Sequence, residues 1–107
     1  MIGQRELINA IGALEADALQ RWIDLGWVLP EQNDDAPRFD DHDVARVRLI
    51  CELHYELRIE EDSLSVVLSL LDQLYASRRA LRTLAAAVEA QPADVRARIA
   101  GLVQGEL

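Results

Sequence analysis

Four adjacent residues near the middle of the sequence could bind a cation: Asp40, Asp41, His42 and Asp43. Carboxylate oxygens and imidazole nitrogens are ligands that divalent metals use in proteins. The same residues stand at the start of an apolar helical pattern, where carboxylates complement the positive end of the helix dipole. Asp40 and Asp43 also have the three-residue spacing of a capping box. The cluster therefore predicts a helix cap in preference to a metal site.

The other reactive side chains form no recognisable catalytic set. Cys51 is the single cysteine and falls on the apolar side of a predicted helix, which favours a buried thiol over a redox or metal site. His54 has no second histidine or cysteine at ligand spacing, so we interpret it as a packed or surface imidazole. The sequence also lacks a Ser/His/Asp order, a glycine-rich phosphate loop and a CxxC motif. We expect neither enzymatic activity nor a cofactor or metal.

The element that carries these residues is a helix predicted over residues 39–57. Its apolar side chains recur at steps of three and four, which gives one face wide enough to pack on a core. They are Val44, Val47, Ile50, Cys51, Leu53, Tyr55 and Leu57. The polar residues Arg46, Arg48, Glu52 and Glu56 are expected to face water.

Two short helices are predicted before this central helix. Residues 5–11 form the first and Gly12 ends it. Residues 15–25 form the second, and Gly26 can take the left-handed conformation that ends it. Together with the central helix they make a head of the helix-turn-helix kind.

A two-stranded wing is predicted between the second helix and the central helix. Residues 27–29 and residues 38–39 have β character, and the segment that separates them is dense in turn residues. A hairpin of two strands is marginal alone, so Trp27 and Phe39 are expected to pack on the helices.

The sequence from residue 63 to residue 90 contains neither glycine nor proline. Its apolar residues repeat at near-heptad spacing, which predicts one helix of up to about 40 Å, or two helices end to end that meet at residues 77–79. So long a helix cannot cover its apolar face on a small head, so its distal half is expected to pair with a second copy of the chain. The alternative is a helix folded back on its own domain. Pro92 begins a last helix over residues 93–103.

Length and composition predict a mainly α-helical protein that folds without disulfides, since 107 residues can bury a core. We divide the chain into a winged-helix-like head, residues 1–61, and a C-terminal part, residues 62–107, which holds the long and terminal helices and is expected to form a homodimer. No apolar run approaches the ~20 residues of a membrane span, and the N-terminus has no signal-peptide pattern. We therefore expect a cytoplasmic protein without a membrane partner.

Charge is distributed unevenly along the chain, whose net charge is −8. Residues 1–76 hold six arginines and sixteen acids, whereas residues 77–107 hold five arginines and three acids. Because nucleic-acid binders gain affinity by neutralising phosphates, the acidic head disfavours a nucleic-acid partner. It favours a basic protein surface, unless the charge serves only solubility.

Three short motifs carry a resemblance to known families. They are FDDH at residues 39–42, HYEL at residues 54–57 and VVLSLLD at residues 66–72. With the predicted order of elements, they resemble the winged-helix head of MerR-type regulators, in which a long helix after the head makes a dimer. The closer resemblance is to the CbpM family of chaperone modulators and covers roughly residues 7–81. It implies binding to the J-domain of a CbpA-like co-chaperone and inhibition of its stimulation of a DnaK-type chaperone.

The resemblance makes a chaperone modulator the leading hypothesis, and the acidic head agrees with it. J-domains of that family use a basic helix beside an exposed loop, and an acidic head could cover it. The candidate contact residues are acids chosen by sign and expected exposure: Asp41, Glu52, Glu56, Glu60 and Asp72. Most interface residues contribute little singly, so these acids are expected to act together.

The alternative is a MerR-type DNA-binding transcription regulator, which would contact DNA through Arg21, Arg38 and Arg46. MerR-type regulators carry an Arg-Tyr pair for phosphate contacts on their second helix, where this chain has Gln20 and Arg21. The acidic wing is a second departure from the DNA-binding pattern. A generic dimerisation or adaptor module is the third possibility.

Overall fold

The computed structural model describes residues 1–106 and is mainly α-helical, with a small three-stranded sheet. Its strands are β1 (Ile2–Gly3), β2 (Glu31–Asn33) and β3 (Ala36–Phe39). Its helices are α1 (Gln4–Ala10), α2 (Ala16–Asp24), α3 (Asp41–Cys51), α4 (Glu61–Glu89) and α5 (Ala93–Glu106), and a π-helical turn, Glu52–Glu56, follows α3. This order is a winged helix-turn-helix head followed by a long C-terminal helix, as the sequence predicted.

The chain divides into two compact units, which we call the head unit, Met1–Leu68, and the tail unit, which begins at Ser69. The division falls within α4, two turns later than the boundary between residues 61 and 62 drawn from the sequence. All the buried apolar side chains of the described residues belong to the head unit. They are Leu7, Ile11, Leu14, Ala18, Leu19, Trp22, Val28, Phe39, Val47, Ile50, Cys51, Leu53, Leu64 and Leu68.

The end of α2 explains why residues 27–29 are not a strand, contrary to the prediction. Gly26 has a φ of 78° and its N–H donates to the Ile23 carbonyl (3.0 Å), while the Trp27 N–H donates to the Trp22 carbonyl (2.9 Å). These are the two hydrogen bonds of a Schellman motif. The Trp27 carbonyl accepts from Arg46 Nε (3.0 Å). Because both backbone groups of Trp27 are engaged in this way, they do not enter the sheet.

The predicted hairpin is present before the central helix, but its strands are β2 and β3, and β1 adds a third strand, so that the order is β1, β3, β2. β2 and β3 form a hairpin in which Asn33 pairs with Ala36. The two residues between them, Asp34 and Asp35, have φ values of 49° and 67°, as a tight hairpin turn requires. β1 pairs with β3 on the other side. Phe39, at the end of β3, is buried as predicted.

The central helix begins as the sequence predicted. The Asp43 N–H donates to Asp40 Oδ1 (2.8 Å) and the Asp40 N–H donates to Asp43 Oδ2 (3.1 Å), which confirms the capping box. The end of the helix differs, because Leu57 lies beyond the π turn and exposes 66% of its surface instead of joining the apolar face. Arg46 also differs, since it is partly buried against Trp27 instead of facing water.

The long helix α4 is a single element that passes through residues 77–79 without a break. Between Ser69 and Gly105 no side chain is fully buried, although α4 and α5 carry many apolar residues there. The exposed ones include Leu70, Leu74, Tyr75, Leu81, Leu84, Leu102 and Val103. None of the described helices combines the length and apolar composition that a membrane crossing requires.

Candidate partner-binding surface

Three of the five predicted contact acids lie on one exposed face of α3 and the π turn. Asp41 is the first residue of α3, and Glu52 follows it by three helical turns, about 16 Å along the axis. Glu56 lies one turn beyond Glu52 at the end of the π turn. All three side chains are exposed, as predicted. Arg48 is exposed one turn before Glu52, so the face, which we call the α3 acidic face, carries one positive charge among the acids.

The other two predicted acids occupy different places. Glu60 is exposed just before α4, and its carbonyl accepts the N–H groups of Ser63 and Leu64 (both 3.0 Å). Asp72 is exposed on α4 within the tail unit. Asp41, Glu52 and Glu56 therefore follow one another along one face of the head unit, whereas Asp72 belongs to the tail unit.

The backbone at the end of the α3 acidic face is fixed by three hydrogen bonds of 2.9 Å. The Leu57 N–H donates to the Glu52 carbonyl, the Ile59 N–H donates to the Leu53 carbonyl, and His54 Nδ1 donates to the Ile59 carbonyl. Arg58 closes the turn with a φ of 58°, a conformation that favours glycine. Glu56 and Leu57 are thus displayed from an ordered backbone. Nothing in the sequence pattern indicated the π turn.

His54 is a packed imidazole, as one of the two predicted alternatives held. Its ring centre lies 4.9 Å from that of Tyr55 and 6.3 Å from that of Trp22, where the contact is edge to face. Tyr55 also contacts Trp22 at 6.4 Å, and burial raises the pKa of its phenol. This aromatic cluster joins α2 to the π turn and so supports the α3 acidic face from behind.

The Glu61 carboxylate connects α2 to the start of α4 through hydrogen bonds that we call the Glu61 clamp. Arg21 donates from Nε to Glu61 Oε1 (3.2 Å) and from Nη2 to Glu61 Oε2 (2.9 Å), and Trp22 Nε1 donates to Glu61 Oε1 (3.1 Å). The Arg21 hydrogen bonds hold the pKa of Glu61 below its usual range. The sequence interpretation missed this clamp, because its partners are 40 residues apart and no local pattern links them.

The arginines named for the DNA-binding alternative are largely engaged within the chain. Arg21 belongs to the clamp, and Arg46 donates to the Trp27 carbonyl. Arg38 is exposed on the central strand β3, near Gly3. On α2 the neighbouring Gln20 donates to Asp24 Oδ1 (2.9 Å). These contacts reduce the number of side chains on α2 and α3 that could bind DNA phosphates.

The cluster considered as a metal site has ligand atoms of Asp40, His42 and Asp43 within 4.8 Å of one another. Both carboxylates accept hydrogen bonds in the capping box, which explains their proximity without an ion. The Asp43 N–H holds the pKa of Asp40 below its usual range, whereas burial raises the pKa of Asp43. Cys51 is a free buried thiol, as predicted, and burial raises its pKa to about 11.

The tail unit carries an open apolar groove of about 930 Å³ between α4 and α5. Aliphatic side chains dominate its lining, which includes Leu81, Leu84, Val88, Ala97, Ile99 and Val103. At its edge, Arg96 and Glu89 form an ion pair of 3.6 Å. The groove is a second candidate binding surface. It is mainly apolar, in contrast to the α3 acidic face.

The winged helix-turn-helix geometry agrees with a comparison against protein-family models, in which residues 2–86 match the model described as MerR HTH family regulatory protein. The chain belongs to this family. The match spans the head unit and most of α4 and ends before α5, so the α5 side of the groove lies outside the part that defines a MerR HTH family protein. Searches of curated proteins and of solved structures gave no significant match.

Proposed function

We propose that this MerR HTH family protein is a cytoplasmic, non-catalytic chaperone modulator. It binds the J-domain of a CbpA-like co-chaperone and inhibits that domain's stimulation of a DnaK-type chaperone. The observation that carries the proposal is the α3 acidic face, on which Asp41, Glu52 and Glu56 are exposed together. The head unit as a whole holds fifteen acids and six arginines.

An acidic face of this kind suits a basic helix on the partner. Complementary charge raises the association rate and rejects partners of the wrong sign, while buried apolar contacts supply much of the affinity. Leu57 follows Glu56 directly and exposes 66% of its surface, so it offers an apolar contact beside the acids. The ordered backbone of the π turn reduces the entropy lost when this segment is bound.

Homodimerisation through the tail unit is part of the same proposal. Two helices with exposed leucines and no fully buried side chain between Ser69 and Gly105 are marginal in water by themselves. A second copy would cover these side chains with an equivalent surface. The weakly charged tail units would meet with less repulsion than two acidic head units.

DNA-binding transcription regulation is the second candidate, because the matched family model is described as a regulatory protein. The engaged state of Arg21 and Arg46 and the acid excess of the head unit argue against it. It predicts duplex binding that weakens steeply with salt, because each phosphate contact releases counterions.

A calorimetric titration separates the two candidates. The full chain is titrated with a purified CbpA-type J-domain at low and at high salt, and a DNA duplex serves as the parallel ligand. We expect saturable J-domain binding that weakens at high salt, and no comparable duplex binding. Duplex binding without J-domain binding would favour the regulator.

Charge reversal then tests the surface. Replacing Asp41, Glu52 and Glu56 together by Lys is expected to weaken J-domain binding about 10-fold to 100-fold, because three complementary charges become repulsive. The matched control replaces three exposed acids elsewhere in the head unit by Lys: Glu6, Asp17 and Glu31. Circular dichroism checks that both variants fold. Equal affinity losses in the two variants would eliminate the α3 acidic face as the binding surface.

A further inference from the structure

The groove between α4 and α5 has the size and the lining of a site for a small apolar ligand. Its volume of about 930 Å³ lies within the range of about 300–1,000 Å³ that is usual for ligand sites. Small side chains keep the groove open between the larger aliphatic ones: Ala85, Ala93, Ala97 and Ala100. Along α5 the lining continues from Arg96 to Val103, about 10 Å of the helix axis. The groove can therefore hold a chain-like apolar group along its length.

The charged side chains of the groove lie where α4 ends and α5 begins. Arg96 and Glu89 form an ion pair of 3.6 Å, and their side chains are 43% and 76% exposed. Because this distance exceeds that of a charge-assisted hydrogen bond, the pair is weak, and a carboxylate from solvent can compete for the guanidinium. Arg96 is the one cation in the lining that the described residues provide. A single cation beside an aliphatic groove matches an apolar ligand with one negative end, whereas an acidic helix would need several cations.

We propose that the groove binds a free fatty acid of medium chain length, with its acyl chain along α5 and its carboxylate on Arg96. The chain covers Leu81 and Leu84, which are more than half exposed, and the guanidinium fixes its direction. The α5 side of the site lies beyond residues 2–86, so family membership does not imply it. The site is independent of J-domain binding. Because a second copy would cover the same groove in the proposed dimer, the fatty acid competes with self-association.

The test titrates the full chain with decanoate, below the concentration at which it forms micelles, and follows binding by calorimetry. We expect one saturable site per chain, and about tenfold weaker binding of decanol, which has the same chain but no charge for Arg96. Arg96→Gln should lose about tenfold in decanoate affinity and keep its affinity for decanol. Arg98→Gln is the matched control, since it removes the same charge from an exposed position of α5 outside the groove lining. It is expected to bind decanoate as the wild type does.

A second pair of variants tests the groove without changing charge. Ala97→Phe fills the groove and should weaken decanoate and decanol alike, whereas Ala87→Phe adds the same side chain at an exposed position outside the lining and should weaken neither. Circular dichroism checks that all variants fold. The proposal is overturned if Arg96→Gln and Arg98→Gln bind decanoate equally, if Ala97→Phe binds it as the wild type does, or if a dimer persists at saturating decanoate. Absence of saturable binding would also overturn it and leave a second copy as the occupant of the groove.

Discussion

The two units of this chain obtain their structure in different ways. All the buried apolar side chains of the described residues lie in the head unit, whereas no side chain between Ser69 and Gly105 is buried. The stability of the tail-unit helices therefore depends on helix propensity, which is high for Ala, Leu and Arg, and on the partly covered contact between α4 and α5. The comparison shows that a continuous helix such as α4 can be part of a folded core at one end and an unsatisfied surface at the other.

Truncation of matched leucines is expected to produce the largest effect. Leu19 is fully buried in the head unit, so Leu19→Ala should lower the free energy of unfolding by about 2–5 kcal/mol through lost transfer energy and a cavity. Leu81 is 64% exposed in the tail unit, and Leu81→Ala should cost less than about 1 kcal/mol in dilute protein. Urea unfolding followed by tryptophan fluorescence and circular dichroism measures both. Similar costs at the two sites would contradict the contrast between the units.

Disruption of the proposed dimer is expected to come next. Leu81→Asp combined with Leu84→Asp places two charges in the groove and should weaken self-association about 100-fold, because carboxylates would be desolvated at the interface. Thr83→Asp combined with Ala86→Asp adds the same charge at exposed positions outside the groove lining and serves as the control. Sedimentation over a range of concentrations reports the association. A wild-type chain that stays monomeric throughout would contradict the proposed dimer.

Lowering the pH is expected to reduce the stability of the head unit, because protonation of Glu61 weakens the Glu61 clamp. The pKa of folded Glu61 is lowered by its Arg21 hydrogen bonds, so the ionised form favours folding. Its contribution is complete above the pKa of the unfolded chain and is lost as pH falls through the folded value. Glu61→Gln should lower the free energy of unfolding by about 1 kcal/mol at neutral pH, and the difference from wild type should disappear well below about pH 4. Urea unfolding at several pH values checks this, and a difference that persists in acid would contradict it.

The smallest effect is expected at Arg58, whose φ of 58° is unfavourable for any residue with a Cβ. Arg58→Gly should stabilise the head unit by about 0.5–1 kcal/mol, because the strain of the turn is relieved. The self-association of the tail unit should not change. Thermal unfolding and sedimentation of the same variant measure the two properties. A fall in thermal stability would show that the arginine side chain makes a contact that outweighs the strain.

Local signals in the sequence predicted the elements that are defined by neighbouring residues. Asp40 and Asp43 marked the start of α3, Gly26 marked the end of α2, and the absence of glycine and proline marked α4. The exposure of all five candidate acids was also predicted correctly, although their role in binding stays a prediction. These features follow from hydrogen bonds and periodicities that span only a few residues.

Features that depend on distant residues could not be predicted in this way. β1 has only two residues and exists because it pairs with β3, so it has no period of its own. Trp27 has β propensity, but its backbone is used by the end of α2 and by Arg46. The Glu61 clamp joins α2 to α4 across 40 residues. In each case contacts between distant residues determined the structure, and the local sequence pattern either indicated a different structure or indicated none.

The buried thiol of Cys51 can be used to measure how often the head unit opens. Its pKa of about 11 leaves almost no thiolate at neutral pH, and its burial keeps reagents away while the unit stays closed. Because it is the only cysteine in the chain, any covalent label must report on this position. The rate of alkylation by a thiol reagent therefore counts how often the head unit opens. The same reaction, run with and without a bound partner, would show whether binding slows that opening.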